Sequence, residues 1–351
     1  MSDRSTRPLA ELRRSDAPEY GGKSANLGDM LAAGIPVPPG FAVGAHAFRL
    51  FVAETGLRGT VESALGRVAK DDVEAAGAAS KTIAEAMRFA PLPLLVRDEV
   101  AERYDELGEP SVAVRSSALG EDSHDATFAG QQESFLWIRG VEQLLDAVRD
   151  CWVSLYTTRA IMYRAGLGGG VAEAAMGVTV QQMVDAVVSG VMFTCNPVSG
   201  DPSMVAVNAS WGLGIAVVGG ETTPDDFLVS KVTGEVVRRT VSTKEIEYVP
   251  DAAARGTVRL EVPAERQGQP CLDEEHLSAL VEAGRNVERH FGSHQDIEWA
   301  LERGSPLPGS LHVLQSRPVT TMKPKTPKLS ESALSLVMGT FGASPQTDPE
   351  P

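Results

Sequence analysis

Apolar and polar residues alternate cleanly in two short segments near the end of the chain, residues 295–299 and 311–317. A period of two is typical of β-strands, whose successive side chains point to opposite faces of a sheet. In the first segment this period places Asp296 and Glu298 on one face and two apolar residues on the other. Because few residues separate the two segments, we predict that they form neighbouring strands.

The polar faces of these strands suit a metal ion bound together with phosphates. The second strand carries Gln315 and Arg317 on one face. Carboxylate oxygens are ligands that divalent cations prefer, and a guanidinium forks onto phosphate oxygens. The combination favours phosphoryl transfer, and the alternative is an ordinary solvated face of an antiparallel sheet.

Elsewhere the hydrophobic pattern predicts both helices and strands. Apolar residues at helical spacing predict helices over 144–165 and 274–291. An apolar run predicts a strand over 111–117. Segments 178–184 and 189–194 are predicted to be paired strands joined by a short turn.

Composition and charge narrow the class of protein. Of the residues, 42% are hydrophobic and 23% are charged, which is typical of a globular protein with a large core. The length of 351 residues suggests two or three subdomains. The net charge of −15 argues against a nucleic-acid partner, because binding a phosphate backbone needs a basic face.

The cysteines and the N-terminal residues indicate a cytoplasmic location. Cys151, Cys195 and Cys271 are scattered without the spacing of metal ligands, as is typical of a reducing compartment. Residues 1–14 are charged and contain no apolar signal core. No apolar run approaches the length of a membrane span, so we expect no membrane partner.

The Gly-Gly-Lys-Ser run at 21–24 predicts a glycine turn that leads into a helix. Glycines let a backbone approach a phosphate, and Lys23 adds a positive charge near the helix N-terminus. The spacing is not that of a P-loop. The alternative is an ordinary helix start with an exposed lysine.

Arg115, near the end of the predicted strand 111–117, is a second candidate for phosphate contact. Ligands of α/β-type folds bind at strand ends, and a guanidinium contacts phosphate oxygens bidentately. The alternative is a surface arginine, with Ser116 or Ser117 capping the next turn.

A predicted strand ends with Gln181, Gln182, Met183 and Val184, and this combination of amides with a soft apolar side chain suits an adenine slot. The alternative is a buried strand that ends in polar residues.

The polar stretch 120–126 suits a mobile loop over a nucleotide, and we assign no metal ligand to it.

Taken together and in this order, these segments resemble the N-terminal ATP-binding region of the phosphoenolpyruvate synthase and pyruvate phosphate dikinase family, a region shared by rifampin phosphotransferase. The resemblance covers most of the chain, and its colinear blocks are much more specific than a lone motif. The blocks are residues 21–27, 37–41, 114–118, 121–122, 128–136, 154–164, 190–194, 212–214, 224–225, 296–298 and 314–318.

The resemblance implies an α+β, ATP-grasp-like fold in which two subdomains clamp a nucleotide. On this basis we expect an N-terminal lobe over 1–195, a C-terminal lobe over 196–321 and a disordered tail over 322–351. Implied roles are phosphate contact for Lys23 and Arg115, Mg²⁺ contact for Asp296 and Glu298, contact with the transferred phosphates for Gln315 and Arg317, and adenine contact for Gln182, Met183 and Val184. Lys23, Arg115 and Arg317 would be the catalytic cations.

Two positions depart from the family pattern. Ile215 follows Gly-Leu-Gly where the family usually has Glu, and Asn208 stands where many members have Glu. Each change removes a carboxylate from the region of the nucleotide, so weaker metal or ribose binding is expected.

The resemblance implies an ATP-dependent phosphotransferase that passes phosphoryl groups from Mg²⁺·ATP to a histidine of a separate swivelling domain or subunit. Phenylphosphate synthase, which divides the same machinery among subunits, is the parallel in organisation. The final small-molecule acceptor is left open. The alternatives are a non-catalytic nucleotide-binding regulatory subunit, a carboxylate–amine ligase of the ATP-grasp class, and an interaction scaffold.

Overall fold

Runs of helices and runs of strands follow one another along the chain in the computed structural model, and the paired strands are antiparallel, which confirms the α+β class. The model describes residues 4–69, 71–119, 133–166, 174–251 and 256–319. The predicted loop at 120–126 and the predicted tail at 322–351 lie outside the described residues. Within the described parts, the strands form two larger sheets and one separate hairpin.

The first sheet is antiparallel and comes from the first half of the chain. Its strands are β1 (Thr6–Pro8), β2 (Gly40–Val43), β3 (Val112–Ala118), β4 (Ser134–Ile138) and β5 (Met176–Gln182). Their order across the sheet is β1-β2-β5-β3-β4. The strand predicted at 111–117 is therefore confirmed as β3. Val114 and Val180 enter the core on one face of the sheet, so alternation places Arg115 and Thr179 on the other face.

Helices of the same half supply most of that core. They are α2 (Ala45–Glu54), α3 (Leu57–Leu65), α4 (Val73–Phe89), α5 (Leu94–Glu106), α6 (Val141–Val153) and α7 (Thr158–Gly166). The first helix, α1 (Ala17–Ala32), instead packs Leu27 and Met30 into the core of the second sheet. The prediction of one helix over 144–165 is wrong, because a 3₁₀ turn at Ser154–Tyr156 separates α6 from α7. In that turn Ser154 Oγ donates to the Cys151 carbonyl at 2.6 Å, a local side-chain bond of the kind that bends helices.

The second sheet, also antiparallel, comes from the later part of the chain. Its strands are β6 (Ala186–Phe193), β7 (Met204–Trp211), β8 (Asp225–Ser230), β9 (Val236–Thr240), β12 (Gln295–Glu302) and β13 (Leu311–Pro318), and the hairpin consists of β10 (Ile246–Asp251) and β11 (Gly256–Glu261). The order across the sheet is β13-β12-β6-β7-β8-β9. Short helices α8 (Ile215–Val218) and α9 (Ala264–Gln267) connect these strands, and α10 (Glu274–Phe291) confirms the predicted helix over 274–291.

The predicted pairing of 178–184 with 189–194 is wrong. Strand β5 pairs with β2 and β3 in the first sheet, whereas β6 pairs with β7 and β12 in the second. The connection, residues 183–185, carries none of the Gly or Asn residues that a tight hairpin turn needs. The chain thus passes from one sheet to the other between Gln182 and Ala186. A division into lobes at residue 195 stays a prediction.

No helix in the described part of the chain combines the length and the apolar character needed to cross a bilayer.

Candidate functional site

Asp296 and Glu298 of β12 lie directly opposite Arg317 and Gln315 of β13. Nε and Nη2 of Arg317 both lie 2.8 Å from Oδ2 of Asp296. On the opposite face of β12, Trp299 is fully buried. The predictions of neighbouring strands and of a shared polar face are confirmed.

The carboxyl of Asp296 is held in a partly buried position. Burial raises its pKa above the ordinary value, although the Arg317 guanidinium acts in the opposite direction. Burial alone would also raise the pKa of Glu298, but Arg115, Lys23 and Arg317 together outweigh it and the pKa is lowered. Glu298 is therefore ionised at neutral pH.

Arg115 links the two sheets. Its Nη2 donates to Glu298 Oε2 at 2.8 Å, and its Nη1 donates to the Leu314 carbonyl at 3.4 Å. Only 14% of the Arg115 side chain is exposed. The alternative of a surface arginine is wrong, and the cation lies beside the predicted metal ligand.

Lys23 is also buried, with 5% of its surface exposed, so the alternative of an exposed lysine is wrong. Its Nζ donates to the Ser116 carbonyl at 2.9 Å. Its charge is among those that lower the pKa of Glu298. Lys23 and Glu298, which are far apart in the sequence, therefore lie close enough for their charges to interact.

A break in α1 explains how Lys23 is positioned. Gly21 has φ +79°, outside the helical region, and a side chain there would overlap Ser117 of β3. The Ser24 N–H donates to Ser117 Oγ at 3.2 Å, and Ser24 Oγ lies 2.6 Å from Thr179 Oγ1 of β5. The glycine turn thus brings the start of the helix into direct contact with the sheet that carries Arg115.

A cavity of about 530 Å³ lies between the two sheets. Arg115 and Glu298 line it, and so do Gln182, Met183 and Val184. The volume is within the range of small-molecule sites. The structure thus brings the predicted adenine-binding segment and two of the predicted phosphate and metal residues to one cavity.

The cavity has a charged part and an apolar part. An apolar cluster consists of Val184, Ala186, Leu213 and Ala300, with Met183, Ile215, Tyr248 and Leu314 packed against it. Arg115 lies opposite Thr179 on β5, and Met183 follows Thr179 by four residues. At about 3.3 Å per residue in a strand, Met183 lies roughly 13 Å further along the chain direction. A ligand that fills the cavity can therefore place a planar apolar group and a distant anionic group in matching surroundings.

Two backbone N–H groups of the predicted adenine segment already donate hydrogen bonds to other parts of the protein. The Gln182 N–H donates to the Pro39 carbonyl at 2.8 Å, and the Met183 N–H donates to the Ser111 carbonyl at 2.9 Å. These bonds hold the segment against the first sheet and leave its side chains to contact a ligand.

The side-chain oxygen atoms on β12 and β13 are suitable ligands for a magnesium ion. Mg²⁺ in nucleotide sites usually takes one or two carboxylates and completes its shell with phosphates and water. Asp296 and Glu298 supply two carboxylates, and the neighbouring Gln315 Oε1 is buried and has no hydrogen-bond partner within the described parts of the chain. Among the described residues, no cluster of three or more His, Cys, Asp or Glu is arranged for a metal. Two carboxylates and an amide oxygen fit an ion whose remaining ligands are phosphates and water.

The two positions that depart from the family pattern, 215 and 208, have different surroundings. Ile215 begins α8 and lines the apolar part of the cavity. Asn208 lies on β7, where its Nδ2 donates to Asp226 Oδ2 at 3.3 Å. Ile215 thus contributes apolar contact in place of a charge, and Asn208 is tied to the neighbouring strand.

Sequence reasoning missed the apolar wall. Ala186, Leu213 and Ala300 come from separate elements, and no local pattern marks them as cavity residues. For Ala300 a signal existed, since it follows Glu298 by two residues and so shares its face of β12.

Several relatives that this chain matches in sequence are phosphoenolpyruvate synthases or probable ones. A probable phosphoenolpyruvate synthase from Methanothermobacter thermautotrophicus is 39% identical over 341 residues, which cover 95% of this chain and 49% of that protein. One from Pyrococcus abyssi is 37% identical and covers 98% of this chain and 47% of that protein. The phosphoenolpyruvate synthase from Pyrococcus furiosus is 36% identical, with 98% and 48% covered. The chain thus spans about half the length of these relatives.

Among solved structures, an L-amino acid ligase from Bacillus licheniformis matches this chain in part. The match covers 68% of this chain and 47% of the ligase chain. Its sequence identity is 13% and its TM-score 0.24, which is too low to carry an argument. The family model described as the AMP/ATP-binding domain of pyruvate phosphate dikinase matches residues 17–336, most of the chain. The resemblance drawn from the sequence is therefore confirmed, and the chain belongs to the family of pyruvate phosphate dikinase AMP/ATP-binding domains.

Proposed function

We propose that the chain binds Mg²⁺·ATP in the cavity between its sheets and passes phosphoryl groups to a histidine on a separate domain or subunit. One observation carries the proposal. Arg115 and Glu298 pair at the charged part of a cavity whose apolar part is lined by Met183 and Val184, and the charge of the buried Lys23 acts on the same Glu298.

The two parts of the cavity match the two ends of ATP. The apolar cluster suits the adenine ring, with Met183 packed on its face. Arg115 and Lys23 suit the phosphates, since both cations lie in surroundings with little competing water. Two lobes that clamp the nucleotide between them, as in ATP-grasp proteins, remain part of this proposal.

Asp296 and Glu298 would hold Mg²⁺, which when bound offsets phosphate charge and orients the phosphates. Both acids are paired with arginines that we assign to phosphate contact, Glu298 with Arg115 and Asp296 with Arg317. If those arginines contacted phosphate oxygens, the two carboxylates would be available to hold the metal. Without nucleotide, the arginines balance the charges of the two acids.

The phosphoryl step breaks a P–O bond of the nucleotide and forms a P–N bond to an imidazole. Arg317, Arg115 and Lys23 would stabilise the charge that spreads over the transferring oxygens, and Gln315 would face the same phosphates. The cavity lining, as far as the described residues go, contains no histidine. The relatives are about twice as long as this chain and are phosphoenolpyruvate synthases, so the accepting histidine is sought outside it.

Label transfer tests the proposal. The protein is incubated with Mg²⁺ and ATP labelled in the β- or γ-phosphate, together with a phosphohistidine-domain protein. We expect acid-labile label on that protein, and a roughly hundredfold slower transfer with Arg317→Ala. Arg97→Ala is the matched control, because Arg97 pairs with Glu142 on the exposed surface of α5.

Other outcomes would point to the alternatives. Nucleotide binding without label on any partner would indicate a regulatory subunit. An acyl phosphate trapped as a hydroxamate would indicate a carboxylate–amine ligase, and failure to bind any nucleotide would indicate a scaffold.

A further inference from the structure

A second cavity, of about 510 Å³, lies between helix α10 and the turn that joins β8 to β9. It shares no lining residue with the cavity between the two sheets. Helix α10 packs Leu277 and Leu280 into the same core as Ile297 of β12. Because alternation puts Glu298 on the other face of β12, α10 lies on the side of the second sheet that faces away from Glu298. The second cavity is therefore separate from the proposed nucleotide site.

The lining of the second cavity is rich in positive charge. Three of its residues are cations, Lys231, Arg285 and Arg289, and one, Glu282, is an acid. The chain as a whole has the opposite balance, with 47 acidic residues against 32 lysines and arginines. The positive charge is thus a local feature of this cavity, and a basic patch of this kind attracts anions.

Arg285 and Arg289 carry the excess charge. They are four residues apart on α10, so they lie one turn apart on the same face of the helix, and both are exposed. Arg289 Nη1 donates to Asn286 Oδ1 at 3.3 Å. Within the described ranges, neither guanidinium lies within ion-pairing distance of a carboxylate. Since each guanidinium has five N–H donors, most of these donors remain for a ligand.

Lys231 belongs to the other wall of the cavity, at the start of the turn between β8 and β9. Its Nζ lies 2.6 Å from Glu288 Oε2 of α10, and its side chain is 12% exposed. This ion pair holds the ammonium group at a fixed place near the helix. Phosphate oxygens accept several charge-assisted hydrogen bonds at once, and guanidinium groups match their geometry. One fixed ammonium group and two guanidiniums therefore suit a phosphate group better than a singly charged ion with one acceptor.

We propose that this cavity is a second binding site, which takes a phosphate group that is either free or part of a small phosphorylated molecule. The volume is within the range of small-molecule sites, so the cavity has room for more than the phosphate group itself. The inference does not depend on the proposed function, because none of its residues lines the cavity between the sheets.

Titration with inorganic phosphate, followed by NMR on the isotopically labelled full chain, tests the proposal. We expect saturable shifts of the backbone amides in residues 231–234 and 278–289. Arg285→Ala should raise the Kd for phosphate at these amides about tenfold, because a charge-assisted hydrogen bond is lost. The melting temperature without phosphate should not change, since the Arg285 side chain is exposed and has no acidic partner among the described residues.

Arg58→Ala is the matched control. Arg58 is an arginine on another helix, α3, with 74% of its side chain exposed, and its replacement should leave the Kd for phosphate unchanged. Shifts that do not saturate, an equal loss of affinity in both variants, or shifts confined to the surroundings of Arg115 would each overturn the proposal.

A parallel titration with glycerol 3-phosphate distinguishes the two sources of the phosphate group. Tighter binding than that of inorganic phosphate at residues 231–234 and 278–289 would assign the site to a phosphorylated molecule. Equal or weaker binding would assign it to free phosphate.

Discussion

Arg115 and Glu298 are 183 positions apart in sequence, and a 2.8 Å ion pair joins them across the two sheets. Their side chains are 14% and 28% exposed, so solvent screens the pair only in part. The pair links the cation that we assign to phosphate binding with the acid that we assign to Mg²⁺.

Arg115→Ala should lower both stability and nucleotide affinity. The change leaves Glu298 partly buried without its cation, at a cost of about 2 kcal/mol in the free energy of unfolding. Urea unfolding and calorimetric ATP titration measure the two effects. Arg97→Ala breaks an ion pair whose side chains are 45% and 79% exposed, and it should change stability by less than about 0.5 kcal/mol. Similar losses in both variants would contradict the structural link.

Gly21→Ala should be more harmful than Gly34→Ala, although both glycines have positive φ, +79° and +74°. A methyl group at Gly21 would overlap Ser117, whereas nothing lies within 4 Å of the same position at Gly34. We expect Gly34→Ala to cost about 1 kcal/mol from backbone strain, and Gly21→Ala about 2 kcal/mol more. Only Gly21→Ala should weaken ATP binding, because it displaces Lys23. Equal unfolding free energies would show that the close approach to Ser117 is absent.

Asp225 and Lys244 form a buried ion pair, so the effects of replacing them on the free energy of unfolding should be strongly coupled. Both side chains are completely buried, and Lys244 Nζ lies 2.6 Å from Asp225 Oδ1. The N–H groups of Ser242 and Cys271 also donate to the Asp225 carboxylate. Asp225→Asn and Lys244→Met should each lower the free energy of unfolding by about 3 kcal/mol, because each leaves a buried charge unpaired.

The double variant of these two residues should lose less than the sum of the single losses, with a coupling of about 2 kcal/mol. A double-mutant cycle in urea measures this coupling. Strictly additive losses would mean that the two charges do not interact.

Asp273 should stabilise α10 in a pH-dependent way. The His276 N–H donates to Asp273 Oδ1 at 2.9 Å, and this bond holds the pKa of the carboxyl below its ordinary value. Because the folded pKa is the lower one, the unfolded chain binds the proton more readily. The contribution of the Asp273 carboxylate to the free energy of unfolding is therefore complete above the unfolded pKa of about 3.9. It is lost as the pH falls through the folded pKa.

We expect Asp273→Ala to lower the free energy of unfolding by about 1 kcal/mol at pH 7, with the difference from wild type shrinking in acid. Asp273→Asn keeps an acceptor at the helix start, so it should retain most of the stability and lose the pH dependence. Unfolding curves from pH 3 to 7 separate these cases. An undiminished difference at pH 3 would rule out the carboxylate as the cap.

Local sequence patterns were sufficient where one element decides the outcome. The alternation of Asp296 and Glu298 with apolar residues gave the face of β12 correctly, and α10 has the predicted bounds. Both results depend on periodicity, which each element carries by itself. The colinear blocks also identified the family correctly, since many weak matches in order are specific when taken together.

Local sequence patterns gave wrong predictions where the structure depends on contacts between elements that are far apart in the sequence. The apolar period runs on through Ser154–Tyr156, so one helix was predicted where tertiary packing accommodates two. Strands β5 and β6 look like a hairpin in sequence, but each finds its partners in a different sheet. Pairing depends on which strands bury their apolar faces together, and that information is not local.

The sequence by itself determined the residue types of the site and the faces on which strand periodicity places them. Only the tertiary structure decided that Lys23 is buried, that Arg115 pairs with Glu298 and that Met183 lines the same cavity as both. The reason is physical. Charge pairing and burial depend on distances between residues that are far apart in the chain, and the packing of two sheets against each other sets those distances.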